Sequence, residues 1–129
     1  MKDRKKADEN WRKLNEQLVK AMKQDDFGEL SRLYSEMASQ CHQENKPSFH
    51  LQKFSQEMGL RKDLKERILK RVEIFSADGC EECKKHNGEK YTIEEALEKM
   101  PLPVKTCKRK IKKSAPDCWC GCSYSPVIE

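Results

Sequence analysis

Six of the seven cysteines in this 129-residue chain lie from residue 80 onward, in the order Cys80-Glu-Glu-Cys83, Cys107 and Cys118-Trp-Cys120-Gly-Cys122. Thiolates gathered in this way suit a soft divalent metal. Zinc is the first candidate, because it takes four such ligands tetrahedrally and needs no redox partner. A Cys-x-x-Cys pair on a tight turn sets two sulfurs on one ion, with the turn amides offsetting thiolate charge. Cys80 and Cys83 meet that requirement, with Gly79 just before them. The remaining ligands must come from later in the chain. In an extended stretch Cys118, Cys120 and Cys122 share one side, since side chains alternate with period two. The preferred ligand set is Cys80, Cys83, Cys107 and Cys120, with Cys118 and Cys122 as alternates. Six thiols are too few for two separate ions unless sulfurs bridge.

Other uses of the same residues are less well matched. Disulfides fit an oxidising compartment, but no apolar h-region follows the basic start Met1-Lys-Asp-Arg-Lys-Lys6. The expected location is therefore cytoplasmic, where clustered cysteines usually mean metal or catalysis. A redox Cys-x-x-Cys wants the pair at a helix start within a βαβ frame, whereas Glu81 and Glu82 disfavour thiolate here. Cys41 reads as a small buried hydrophobe. His86 is close enough to Cys83 to be weighed as a ligand, but it reads better as a turn residue. His42 and His50 read as ordinary helix residues. His86-Asn87 has no second histidine to complete a nuclease motif. No paired carboxylates, phosphate loop or Ser-His-Asp order is present, so the expected function is non-catalytic. A thiol redox or nuclease-associated enzyme is the alternative.

Between Cys107 and Cys118 the residues Lys108, Arg109, Lys110, Lys112 and Lys113 carry no acid among them, and Lys105 precedes them. A metal at the base of this loop would present them together to phosphates. Trp119 and Tyr124 are near enough in sequence to stack on a base. The expected partner is nucleic acid, or else another protein.

Composition bounds the fold that must position these groups. Hydrophobic residues are 36% and charged residues 38% of the chain, with a net charge of +5 and a mean hydropathy of -1.00. Such a chain buries a modest core and gains from a metal staple. No apolar run approaches the ~20 residues of a membrane span.

Apolar periodicity predicts helices over residues 8–71. Trp11, Leu14, Leu18 and Met22 form one stripe, and Phe27, Leu30, Leu33, Tyr34, Met37 and Ala38 a second. Asp25 or Asp26 is placed to cap the second helix. Pro47 suits the first position of a third helix (Phe49, Leu51, Phe54, Met58), which Gly59 would end. A fourth would carry Leu60, Leu64, Ile68 and Leu69. From Val72 the character changes. Val72-Glu-Ile-Phe75 alternates like a strand, Asn87-Gly88 is a turn, and Tyr91 closes a second strand. Thr92-Ile-Glu-Glu95 is a capping box for a helix over residues 93–99. Pro126 suits a last edge strand. The expected architecture is α+β: a helical region, residues 1–71, then a zinc-binding unit of short strands and one helix, residues 72–129.

The order Cys80-Glu-Glu-Cys83, Asn87-Gly88, Tyr91-Thr-Ile-Glu-Glu-Ala96, Pro101-Leu-Pro103, Cys107 and Cys120-Gly-Cys122 resembles the C-terminal zinc-knuckle segment of phage head-morphogenesis (minor head) proteins. It is similar also to related bacterial zinc-binding tails. The resemblance covers residues 72–128 and implies a metal knuckle at Cys80, Cys83, Cys107 and Cys120. It also implies a structural accessory role as one possible function. Val104 stands where some such tails carry another cysteine or a histidine.

Overall fold

The structure, a computed structural model, describes residues 2–66, 70–76 and 81–127. Three long helices come first: α1 (Lys2–Lys23), α2 (Phe27–Gln43) and α3 (Phe49–Glu66). They are followed by β1 (Arg71–Phe75), the single turn α4 (Glu81–Lys84), β2 (Lys90–Thr92), α5 (Ile93–Lys99) and β3 (Ser123–Pro126). The fold is α+β, as the periodicities imply. No helix among the described residues is long and apolar enough to cross a membrane.

The helical core grows from the two apolar stripes. Leu14, Leu18 and Ala21 of α1 are buried against Leu30, Leu33, Met37, Ala38 and Cys41 of α2, with Leu51 of α3 beside them. Met22, expected in the first stripe, is 47% exposed, and Ala21 takes the core position. Asp26 caps α2, its carboxylate accepting the Glu29 amide hydrogen at 3.2 Å.

The third and fourth expected helices are one. α3 runs through Gly59 because packing overrides the local tendency of glycine to end a helix. Ser31 and Ser55 exchange hydroxyl-to-carbonyl hydrogen bonds at 2.8 Å, which holds α2 and α3 close along small residues. Leu60, next after Gly59, is buried with Val72, Ile93 and Ala96. That burial requires the helix to continue. Ile68 and Leu69 lie outside the described residues. Pro47 precedes the helix rather than opening it: Ser48 is the residue whose carbonyl accepts the first amides, those of Leu51 and Gln52.

The sheet is antiparallel, in the order β2-β1-β3. β1 is central, with Val72 and Ile74 facing inward. Gly88, at φ 89, makes the turn that returns the chain to β1, its amide donating to the Ile74 carbonyl at 2.8 Å. Thr92 and Glu95 form the reciprocal capping box of α5, with both bonds at 3.1 Å. β3 is an edge strand that places Pro126 opposite Val72. Leu60 of α3 shares a core with this sheet and α5, so the helical and cysteine-bearing sections are packed on one another.

Candidate metal centre

Three separate segments deliver sulfurs to one place. Cys83 sits on α4, a single helical turn. Cys107 follows the proline-bounded stretch after α5, its amide donating to the Val104 carbonyl at 3.1 Å. Cys120 lies in the segment leading into β3. The Sγ atoms of Cys83, Cys107 and Cys120 are all within 4.8 Å of one another. Tetrahedral zinc with Zn–S bonds of ~2.3 Å sets its sulfurs about 3.8 Å apart, so this spacing needs only a small contraction. Cys83 and Cys107 are buried and Cys120 is half-buried. The Val104 amide donates to Cys120 Sγ at 3.4 Å. Cys80 lies outside the described residues.

Cys118 and Cys122 flank this trio in the same buried cluster. The Cys118 thiol bonds with Cys107, and burial, the main cause, pushes it up to about 12. Burial likewise raises Cys122, whose thiol meets those of Cys83 and Cys120. Both shifts disfavour the thiolate that a nucleophile needs.

No family model, curated protein or solved structure matches the chain.

The cysteine segment is held in position by α3, through residues whose role the sequence reading did not see. Ser48, Gln52 and Gln56 lie four residues apart along one face of that helix. Gln52 is buried and bridges the backbone of residues 118–120: its Nε2 donates to the Cys118 carbonyl at 2.8 Å, and its Oε1 accepts the Cys120 amide hydrogen at 3.0 Å. Gln56 Nε2 donates to the Cys122 carbonyl at 3.2 Å. Asp117 accepts the amide hydrogens of Ser48 and Phe49 at 2.7 and 2.8 Å, capping α3 from a distant part of the chain. The only available signal was the run of polar residues at four-residue spacing, which ordinarily marks a solvated face.

His42 is a second such residue. It is 1% exposed, and its Nε2 accepts the amide hydrogens of Ile111 and Lys112 at 3.2 and 3.1 Å. It therefore anchors the basic loop to the end of α2. That geometry fixes the proton on Nδ1 of a neutral ring, and burial holds the imidazole below its usual pKa.

The basic side chains divide into two groups. Arg109 Nη1 donates to the Trp119 carbonyl at 3.4 Å and lies over Gly121, where an added Cβ would approach it to 2.9 Å. Lys112 donates to the Gln43 carbonyl at the end of α2. Lys110 donates to the Ala115 carbonyl at 2.8 Å, while its stem stays exposed with Lys105, Lys108 and Lys113. The expected stacking residues point inward. Trp119 packs on the helical core with its ring 5.5 Å from that of His42, and Tyr124 is packed between the sheet and the cysteines. His86 bonds Glu89 through Nδ1 at 2.7 Å and takes no place among the clustered sulfurs.

Proposed function

We propose that the chain is a non-catalytic zinc-binding module. Cys83, Cys107 and Cys120 supply three thiolates, and Cys80 is the fourth ligand. The observation that carries this reading is the mutual approach of three sulfurs from three segments far apart in sequence, within 4.8 Å. Among the described residues no other group of three or more histidine, cysteine or carboxylate side chains is placed to hold a metal. When bound, zinc would cross-link α4, the chain before the basic loop and the segment after it. The ion would fix the loop's two ends and so present its basic surface to a nucleic-acid or protein partner. The resemblance of residues 72–128 to minor head tails supports the same ligands and makes a structural accessory role a use of the same surface.

Elemental analysis of protein purified under reducing conditions tests the reading. About one zinc per chain is expected, lost in Cys83→Ser, Cys107→Ser and Cys120→Ser. Removal by a chelator should lower the melting temperature. Metal-free protein with all thiols reduced, and melting unaffected by added zinc, would sink it.

A further inference from the structure

An open groove of about 440 Å3 lies against the cysteine cluster. Lys105, Lys108 and Lys110 line it on the cationic side, and Phe49 and Pro116 supply its apolar part. Asp117 lies at the groove as well, but both carboxylate oxygens are already engaged at the start of α3. Its charge is offset there by the helix dipole, which leaves the groove cationic. The volume falls within the ~300–1,000 Å3 of small-ligand clefts.

We infer that this groove binds single-stranded nucleic acid, with phosphates against Lys105 and Lys108 and a base against Phe49. A cationic groove combined with an aromatic face is the general solution for single strands, since every base offers a π-face whatever its identity. A membrane surface is flat and would not use a concave floor. A phosphopeptide site would call for an arginine fork, and the loop's one arginine, Arg109, is committed to the Trp119 carbonyl. The inference rests on the reading above in one respect: the metal fixes Cys107, which leads into Lys108.

Fluorescence anisotropy with a labelled oligothymidylate, on protein whose zinc content has been measured, tests it. Binding at low salt is expected, with a salt slope of about -1.4 for two phosphate contacts on a single strand. Lys105→Glu/Lys108→Glu should weaken binding at least about tenfold, because two contacts become repulsive. The control Lys84→Glu/Lys85→Glu should not. Phe49→Leu, which keeps an apolar side chain, should weaken it about tenfold through lost stacking. The inference is overturned if zinc-loaded protein fails to bind the oligonucleotide, or if Lys105→Glu/Lys108→Glu binds normally. It is also overturned if duplex or anionic phosphatidylserine vesicles bind as tightly. A zinc-free preparation that binds the oligonucleotide through these lysines would support the groove while refuting the metal reading.

Discussion

Asp117 caps α3 through Ser48, 69 residues earlier in the chain, its Oδ2 accepting the Ser48 amide hydrogen at 2.7 Å and its Oδ1 the Ser48 hydroxyl at 3.0 Å. The aspartate directly precedes Cys118, so the bond that completes α3 also anchors the segment that carries Cys120.

Asp117→Ala is expected to cost about 1–2 kcal/mol, the usual effect of removing an N-cap. Asp117→Asn keeps an acceptor and should cost less. Urea denaturation with a shared m-value checks both.

Gln52→Leu is expected to be more damaging although leucine is the more hydrophobic residue. The Cys118 carbonyl and Cys120 amide would lose their partners in a buried setting, at about 1–3 kcal/mol each. Denaturation should show the loss, and zinc retention against a competing chelator should fall with it.

Gly59→Ala should stabilise the protein by about 0.5–1 kcal/mol, the helix-interior difference between the two residues. The added Cβ would meet Ser31 Oγ at 3.7 Å, an ordinary contact. Were Gly59 a left-handed helix terminus, the same substitution would destabilise, so the sign of the shift in melting temperature decides between one helix and two.

His42 makes stability depend on pH. Its folded pKa is depressed by burial, so as pH falls below about 6.5 the unfolded chain takes up a proton that the folded chain refuses. Stability should be complete above that value and decline as pH drops toward the folded pKa. Asp117 opposes the shift, while Lys110 and Lys112 reinforce it. His42→Gln should flatten this part of the stability curve, measured by thermal melts between pH 7.5 and about 5.

Elements whose cause is local were readable in advance. The Thr92–Glu95 capping box, the alternation of Val72 and Ile74 and the Asn87-Gly88 turn all act within a few residues, and each is where its sequence places it. Gly59 misled because its neighbour Leu60 is buried by residues beyond position 71, and that distant packing outweighs a local preference. The cysteines pointed to a candidate metal site by type and spacing. Which sulfurs converge depends on the chain's path, and that path is set by Gln52, Gln56 and Asp117. On paper these are ordinary polar residues. Trp119 and Tyr124 looked like stacking platforms from proximity alone, whereas the fold turned them inward and left Phe49 at the groove.

The row Ser48, Gln52 and Gln56 grips its neighbouring segment by carbonyls, amides and one capping carboxylate, and contributes no ligand. An incoming ion would therefore meet Cys120 on a main chain already held in place, so less conformational freedom remains to be lost there on loading.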